Sequence, residues 1–401
     1  MSRLSLRTRL YLFAFVDEFG PLYALYAIWF AANGLTATQI SWIFLMWAGV
    51  VLVAEVPSGA LADRMDRRHL IAGATLFRAL GISTLLLWPT LTGILVGAAL
   101  WAVHSSLVSG TWEALVYDLL VERGEEERYT TVSARIGQAN YAGIAGGALL
   151  ASAGLALGAT IPLLGWLTVG AHVLSLATVL SLPEAEAVED EEESPLTFAA
   201  WRETLRAGVS AATASPVLLR VLVLGAVIEG LFILDEYQPL LAEARGAREV
   251  VIPLLVMVVW VGLFLGGELA ARRPRLSSAW VGGLLSASAL LVLLALWSGS
   301  VWALAVLGVG YAMQNVAWVV SDARFQERAP KRVRATVTSV RAFLAALVNM
   351  MAFALVGLLS VGDDPRLGVM VLVGVLVGTG VLMVLWLPEP SAEKVDELID
   401  S

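Results

Sequence analysis

Residues 59–68 read GALADRMDRR, and residues 267–275 read GELAARRPR. Five of the first nine positions agree at an offset of 208 residues. A second pair, RYTTVSAR at 128–135 and RATVTSVR at 334–341, agrees in Arg, Thr, Ser and Arg at an offset of 206. Because the two matches keep the same order and have similar offsets, they predict a parallel internal duplication.

The composition predicts a membrane protein. Of the 401 residues, 58% are hydrophobic and only 15% are charged, whereas a soluble domain has about 25% charged residues. Apolar runs of about 20 residues, the length of helix that crosses a hydrocarbon core, recur along nearly the whole chain. The alternating pattern of a membrane β-barrel is absent from the sequence. We therefore predict an all-α, multi-pass protein whose helices satisfy their own backbone hydrogen bonds.

The apolar runs define twelve predicted spans. They are residues 10–32, 41–61, 70–90, 95–120, 136–157, 161–182, 217–241, 250–270, 277–297, 301–321, 336–360 and 367–388. The predicted domains are a six-helix bundle at 1–182, a linker at 183–216, a second bundle at 217–388 and a tail at 389–401.

Positive charge sets the predicted orientation. If the N-terminus is cytoplasmic, the cytoplasmic segments hold 22 of the 26 Lys and Arg residues, and the outer loops hold three. Cytoplasmic loops carry the excess of positive charge in membrane proteins. We therefore expect both termini in the cytoplasm and the chain in the inner (plasma) membrane.

The linker combines two patterns. PEAEAVEDEEESP at 183–195 is a solvated acidic run. Phe198, Trp201, Leu205 and Val209 then recur at helical spacing. This spacing predicts an amphipathic helix on the cytoplasmic membrane face, with a plain solvated helix as the alternative.

GALADRMDRR resembles the loop between helices 2 and 3 of the major facilitator superfamily, Gly-x-x-x-Asp-Arg-x-Gly-Arg-Arg. The matching residues are Gly59, Asp63, Arg64, Arg67 and Arg68, whereas Asp66 replaces the second Gly. The resemblance implies the major facilitator fold, with two six-helix bundles, and the chain resembles drug and multidrug efflux members. However, the efflux motif of helix 5 is incomplete. Gly146 and Gly147 match it, but Ala142 and Gly143 stand where Gly-Pro would be.

In that family the loop is implied to be a conformational latch. Asp63 lies where the second span ends, and Arg67 and Arg68 can reach an acid at a neighbouring helix end. Asp118 is the best candidate, and such a pair can favour one bundle arrangement over another. The alternative is that these arginines only set the topology.

The repeat also identifies a duplicated carboxylate. FVDEFGP at 15–21 looks like ILDEYQP at 233–239, but their offset of 218 disagrees with the other matches. An offset of 211 pairs Glu18 with Glu229 and Tyr26 with Tyr237. We therefore expect Glu18 and Glu229 to be related by the duplication.

Ionisable residues inside a membrane are costly and indicate function. The resemblance implies that the first, fourth, seventh and tenth spans line a central cavity. The predicted proton-coupling residues on these spans are Glu18, Glu229, Glu113, Asp17 and Asp235. No basic residue lies deep in these four spans, so the predicted cavity favours protons and cations. For Asp17 the alternative is a structural hydrogen bond. Glu55 is predicted to pair with Arg78, and Glu236 to reach water at the membrane edge.

Aromatic and amide side chains predict the wall of that cavity. Trp112 and Trp318 are paired by the offset of 206. The other predicted wall residues are Tyr23, Tyr26, Gln314 and Asn315. They could accept flat or lipophilic ligands by stacking and cation–π contact, with plain packing as the alternative. Gly143 and Gly147 are predicted to allow close helix packing.

The sequence indicates a transporter and not an enzyme. It has no Cys, its three His are isolated, and it lacks a Walker loop, so no cofactor or metal is expected. We predict a monomeric secondary transporter for proton-coupled efflux of lipophilic or cationic small molecules. Its partners would be that solute, protons and the lipid bilayer, without nucleic acid. The alternatives are a proton-coupled uptake symporter for a polar solute, and a non-transporting receptor or lipid-handling protein.

Overall fold

The structure is a computed structural model that describes residues 4–62, 65–184, 198–273, 275–329, 334–360 and 364–389. The regular secondary structure of these residues consists of α-helices and short 3-10 segments. The α-helices are α1 (Leu6–Asp17), α2 (Tyr26–Ala32), α3 (Ala37–Ala62), α4 (Arg67–Leu87), α5 (Leu91–Val108), α6 (Thr111–Val121), α7 (Tyr129–Ala156), α8 (Ile161–Leu180), α9 (Phe198–Thr213), α10 (Pro216–Gly230), α11 (Leu234–Ala244), α12 (Ile252–Arg272), α13 (Ser278–Trp297), α14 (Val306–Arg328), α15 (Arg334–Leu359) and α16 (Arg366–Trp386). The 3-10 segments are Glu126–Arg128, Glu249–Val251 and Trp302–Ala305.

The all-helical, multi-pass prediction is confirmed. Within the described ranges, ten segments are long and apolar enough to cross a membrane. The two predicted spans outside this set are the first and the fifth. The first is divided between α1 and α2, of 12 and 7 residues. The fifth corresponds to α7, which is long enough but carries polar residues such as Gln138 and Asn140.

Three predicted spans contain a break in the helix that the apolar pattern does not predict. The breaks are at 18–25 between α1 and α2, at 109–110 between α5 and α6, and at 231–233 between α10 and α11. Gly110 has a φ of +73°, a left-handed conformation that favours glycine. Hydropathy reports composition and not backbone geometry, so it could not locate these breaks.

The first break is centred on Gly20 and Pro21. Proline lacks an N–H and disfavours helix in the residue before it. The Tyr23 N–H donates to the Gly20 carbonyl at 2.9 Å. The Leu22 N–H donates to Thr168 Oγ1 at 3.0 Å. Non-helical backbone at membrane depth is tolerated where such partners replace the helical hydrogen bonds.

The helices form two compact units. Unit 1 comprises Met1–Arg202, Leu234–Trp260 and Phe353–Gly368, and unit 2 comprises Glu203–Ile233, Val261–Ala352 and Val369–Ser401. Unit 1 therefore includes α11 and the start of α12 in addition to the first eight helices.

In unit 1, α1 packs against α7 and α8, and α4 packs against α5 and α8. Gly143 and Gly147 let α7 approach the end of α1. A Cβ atom at Gly143 would lie 2.3 Å from the Phe15 carbonyl oxygen, and one at Gly147 would lie 3.0 Å from the Gly20 backbone. The predicted close packing at these two glycines is confirmed.

One end of unit 1, the predicted outer end, is closed by segments that are distant in sequence. The Tyr237 hydroxyl donates to Ser41 Oγ at 2.9 Å, and Thr38 Oγ1 donates to the Gly357 carbonyl at 3.1 Å. Tyr237 is fully buried. The ring of Phe353 lies 6.3 Å from that of Tyr237. We call these two hydrogen bonds and the buried rings the closing contacts.

In unit 2, α10 and α13 pack against α14. Helix α9 confirms that a helix follows the acidic run, of which residues 185–195 lie outside the described residues. Gly208 lets α9 approach α15, because a Cβ atom there would lie 2.5 Å from Val340 Cγ2. The side chains of Phe198, Trp201 and Leu205 lie outside the described part, and Val209 is exposed. A position of α9 on the membrane face stays a prediction.

Candidate functional site

Unit 1 contains a cavity of about 170 Å³ next to the first helix break. Its lining comes from this break and from α2, α4, α5, α7, α11 and α12. The lining residues are Glu18, Gly20, Tyr23, Ala24, Tyr26, Ala27, Arg78, Trp101, Ile144, Ala148, Asp235, Glu236, Pro239, Val256 and Trp260. Four of the residues predicted from the sequence are in this wall, namely Glu18, Tyr23, Tyr26 and Asp235.

A buried arginine is the main surprise of the site. Arg78 on α4 is 5% exposed. Its Nη1 lies 3.0 Å from Asp17 Oδ2, 3.4 Å from Glu18 Oε1 and 3.2 Å from His104 Nε2. Since a buried charge needs a partner, Asp17 is the residue that makes Arg78 tolerable here. The predicted pair with Glu55 is wrong, because Glu55 is exposed.

This arginine also overturns the expectation of a cavity without a fixed cation. That expectation considered only the first, fourth, seventh and tenth spans. Arg78 comes from the third span and still lines the cavity. Its charge is offset by Asp17, so the remaining lining acids still set the sign of the cavity.

Asp17 and Glu18 have different environments although they are adjacent. Asp17 is the last residue of α1 and is buried; its Oδ1 accepts a hydrogen bond from Ser175 Oγ at 2.8 Å. The structure therefore places Asp17 in a structural pair behind the wall. Glu18 lies just beyond the helix, and 30% of its side chain is exposed to the cavity region.

Two aromatic rings hold the guanidinium of Arg78. The Arg78 Cζ atom lies 4.9 Å from the centre of the Tyr23 ring and 5.5 Å from that of Trp101. The Tyr23 hydroxyl is 2.9 Å from His172 Nε2. The ring of Tyr26 meets that of Trp101 edge to face at 5.9 Å. The wall around the arginine is therefore mainly aromatic.

The sequence reasoning missed both histidines of this cluster. His104 and His172 are far apart in sequence and were judged isolated. The fold buries both near Arg78 and Tyr23. Their position inside apolar spans was the available signal, because polar side chains at membrane depth indicate function as carboxylates do.

The acids of α11 form the other part of the wall. Asp235 and Glu236 both line the cavity, and the Tyr26 hydroxyl donates a hydrogen bond to the Glu236 carboxylate. The expectation that Glu236 reaches water at the membrane edge is therefore wrong. The break before α11 brings it back toward Tyr26.

Two predicted site residues of α6 lie elsewhere. Trp112 is buried in the core of unit 1, with its ring 4.5 Å from that of Phe13. The packing alternative therefore describes Trp112. Glu113 is exposed in the first turn of α6 and is not part of the cavity wall. The break at Gly110 separates this turn from α5, which supplies Trp101.

Unit 2 contains a second cluster of an arginine with carboxylates. Trp318 Nε1 donates to Glu229 Oε2 at 3.3 Å. Arg341 is buried, with Nη2 3.6 Å from Glu229 Oε2 and Nη1 2.7 Å from Asp322 Oδ1. The Arg341 Cζ atom lies 5.9 Å from the centre of the Trp318 ring. Glu229 therefore has a cationic partner that the sequence did not predict.

The two predicted amides of unit 2 connect helices. Gln314 Nε2 donates to the Ile228 carbonyl at 3.3 Å, and Asn315 Nδ2 donates to the Leu263 carbonyl at 2.7 Å. Both side-chain nitrogens are thus engaged with backbone of neighbouring helices in unit 2. The structure places them in packing contacts.

The structure brings together part of the predicted latch. Arg67 forms an ion pair with Asp118, which is buried, and Arg68 donates to the Leu182 carbonyl at 2.9 Å. Asp66 caps α4 by accepting a hydrogen bond from the His69 N–H at 2.8 Å. A helix cap thus replaces the second Gly of the family pattern. Gly59 is in α3, whereas Asp63 and Arg64 lie outside the described residues.

Nothing in the described ranges suggests a metal centre, since no three His, Asp or Glu side chains there are grouped to hold an ion.

Solved structures share this fold at low sequence identity. The nucleoside transporter NupG, crystallised as a point mutant, has a TM-score of 0.77 and 10% identity, covering 96% of this chain and 100% of that chain. An inward-facing bacterial homologue of the human lysosomal transporter Spinster has a TM-score of 0.68 and 17% identity, covering 96% and 98%. A D-xylose–proton symporter has a TM-score of 0.67 and 14% identity, covering 96% of each chain.

Comparison with curated protein sequences gives no significant match. The sequence profile of the Major Facilitator Superfamily, however, matches residues 10–353, which is most of the chain. The structural neighbours agree with that match in fold. The chain therefore belongs to the Major Facilitator Superfamily.

Proposed function

We propose that this chain is a proton-coupled secondary transporter for a small polar solute, and that the cavity of unit 1 is its solute site. The observation that carries the proposal is the composition of the wall. Three carboxylates, one arginine and four aromatic rings line a single cavity in a membrane-spanning unit. Ionisable side chains inside a membrane mark substrate and proton pathways.

The charges of the wall support proton coupling. Asp17 offsets Arg78, and the cavity wall also contains the carboxylates of Glu18, Asp235 and Glu236. Glu18 is our preferred proton carrier, since it lies at the boundary between the arginine and the cavity. Protonation of Glu18 would remove its attraction to Arg78 and free that side of the cavity. Asp235 and the unit 2 acid Glu229 are further candidates.

The size of the cavity favours a small solute. Sites for drug-sized molecules enclose about 300–1,000 Å³, whereas this cavity has about 170 Å³. Efflux of lipophilic or cationic compounds is the second candidate. The rings of Tyr26, Trp101 and Trp260 beside carboxylates support it, because such a wall attracts organic cations.

The proposed architecture is that of two six-helix bundles at 1–182 and 217–388. Both termini would be cytoplasmic, in the plasma membrane. Alternating access would expose the cavity to each side in turn. The Arg67–Asp118 pair would stabilise one of the two arrangements.

Solute-driven proton movement in proteoliposomes tests the proposal. Purified protein is reconstituted with a pH-sensitive dye inside, and small polar solutes and lipophilic cations are added separately. We expect a polar solute to move protons with the native protein. We expect Glu18→Gln to lose this response and Glu113→Gln, which removes an acid outside the cavity, to keep it. The absence of proton movement with every solute would contradict transport coupled to protons.

A further inference from the structure

We propose that the solute is a zwitterion, a small molecule that carries a carboxylate and an ammonium group separated by a short chain. The inference rests on the proposed solute site and specifies its ligand. The carboxylate would bind Arg78, and the ammonium would bind the acids of α11.

The hydrogen bonds of Arg78 to described residues all use one nitrogen. Asp17, Glu18 and His104 approach Nη1. The Nε atom is buried and has no hydrogen-bond partner among the residues that the structure describes. A buried donor without a partner is costly and therefore needs an explanation. The edge formed by Nε and Nη2 is the one that can donate two parallel hydrogen bonds to a carboxylate.

Two aromatic neighbours restrict the position of the Arg78 guanidinium. The rings of Tyr23 and Trp101 stack on each other with centroids 5.2 Å apart, and both lie beside the guanidinium of Arg78, which is one of the lining residues of the cavity. A planar guanidinium packed against two rings loses less freedom when it binds a ligand. The arginine is thus organised for a planar anionic group before the ligand arrives.

The opposite charge lies beyond Tyr26. The ring of Tyr26 contacts that of Trp101, and its hydroxyl donates to Glu236, which is adjacent to Asp235. The wall therefore runs from the guanidinium donors of Arg78, through aromatic rings, to the carboxylates of α11. An ammonium group would be attracted to these carboxylates, and aromatic faces would support it.

A ligand with only one charged group would not pair with both the guanidinium and the carboxylates of this wall. A simple amine would leave the Nε–Nη2 edge of Arg78 without a partner. A simple carboxylate would meet the repulsion of Glu18, Asp235 and Glu236. A zwitterion meets both ends, and the cavity volume of about 170 Å³ limits the chain between its charges to a few methylene groups.

Calorimetric titration of the purified full-length protein tests whether the ligand is a zwitterion. The probes are 4-aminobutyrate and 6-aminohexanoate, together with hexylamine and hexanoate, which each lack one charge of the six-carbon zwitterion. We expect at least one zwitterion to bind roughly tenfold more tightly than both single-charge probes, since one added charge-assisted contact contributes about that factor. Hexylamine binding as tightly as the zwitterions, or no binding by either zwitterion, would overturn the proposal.

Two variants test which residues bind the carboxylate and the ammonium group of the zwitterion. Arg78→Lys keeps the charge but removes bidentate hydrogen bonding to a carboxylate. It should therefore weaken the binding of the zwitterion about tenfold and leave the affinity for hexylamine unchanged. Glu236→Gln should weaken the zwitterion and hexylamine alike. Glu113→Gln should change none of these affinities. Equal weakening of hexylamine and the zwitterion by Arg78→Lys would show a merely structural arginine and overturn the assignment.

Folding is controlled separately. Because Arg78 offsets a buried Asp17, the double variant Asp17→Asn/Arg78→Gln removes both charges and serves as a second test. It should retain a cooperative melting transition and hexylamine binding, but lose the preference for zwitterions. If another class of solute drives proton movement while the zwitterions are silent, only the ligand class fails. If no solute drives it, the proposed function fails as well.

Discussion

Unit 1 and unit 2 each contain an arginine–carboxylate cluster. The acids of the two clusters are expected to be related by the duplication, whereas their arginines occupy non-equivalent positions. In unit 1, Glu18 meets Arg78 of α4, and in unit 2, Glu229 meets Arg341 of α15. The repeat offset of 208 places Ser286 at the position equivalent to Arg78. The position equivalent to Arg341, at an offset of 206, is an exposed arginine that bonds Gln138. If Glu18 and Glu229 are related by the predicted duplication, the two acids take their arginine partners from non-equivalent helices.

The surroundings of the clusters differ in the same way. In unit 1 the cluster borders the cavity, and Glu18 is one of the residues in the cavity wall. In unit 2, Trp318 donates to Glu229, and Asp322 pairs with the arginine. We infer that the unit 1 cluster serves a ligand and that the unit 2 cluster mainly connects α10, α14 and α15.

The largest expected effect is on folding, from the loss of each arginine. Arg78→Gln should destabilise the protein by about 3–5 kcal/mol, because it leaves buried Asp17 without a counter-charge. Arg341→Gln should cost about 1–3 kcal/mol, because Asp322 and Glu229 remain 28% and 33% exposed. Denaturant unfolding of both variants measures the difference. A larger cost for Arg341→Gln would reverse the contrast.

The next effect is on coupling, from the paired acids. Glu18→Gln should lower solute-driven proton movement by about tenfold or more, since a proton carrier is lost. Glu229→Gln should lower it less, because that acid is held by Trp318 and Arg341. Initial rates in proteoliposomes at equal protein content give the comparison. Equal losses would favour two symmetric proton sites.

A smaller effect is expected at the Arg67–Asp118 pair of unit 1. Asp118→Asn should lower the transport rate severalfold and leave a folded protein, because it would weaken a pair that we propose favours one arrangement. A double-mutant cycle with Arg67→Gln should give a coupling free energy of about 1–3 kcal/mol. Additive effects of the two changes would show that these residues act only on topology.

The smallest effect is expected at the surface pair of Arg7 and Glu125, 2.7 Å apart. The hydrogen bond from Arg7 lowers the pKa of Glu125 below its ordinary value of 4.5. Its contribution to stability is therefore present above pH 4.5 and is lost as the pH falls through the lowered pKa. The melting temperature of the native protein should approach that of Glu125→Gln on acidification. A constant difference between pH 7 and pH 3 would contradict this account.

The sequence predicted the fold better than the site. Apolar runs and the loop at 59–68 were sufficient for the helical fold and the family. The breaks were missed because Gly20–Pro21 and Gly110 change backbone direction without changing hydropathy. Glu18, Tyr23, Tyr26 and Asp235 were singled out, and they line the cavity. Their roles remain predictions.

The rest of the wall depends on geometry that a linear pattern does not contain. Arg78 was recognised as buried, but its partner depends on which face α4 turns to α1. Trp101 and Trp260 are part of the wall because of the rotation of α5 and α12. Glu236 lines the cavity because a helix starts anew at Leu234. Helix rotation and helix breaks depend on packing between segments that are distant in sequence, which a linear pattern does not show.

The closing contacts of unit 1 have a kinetic consequence. Release of a solute through this end would break the hydrogen bonds of Tyr237 and Thr38 and uncover two buried rings, Tyr237 and Phe353. Each hydrogen bond contributes about 1 kcal/mol and each ring several times that. In the proposed alternating-access cycle this work would form part of the activation barrier for opening this end. Loosening the contact through Thr38→Val would therefore raise the uncoupled leak at the same time as the turnover.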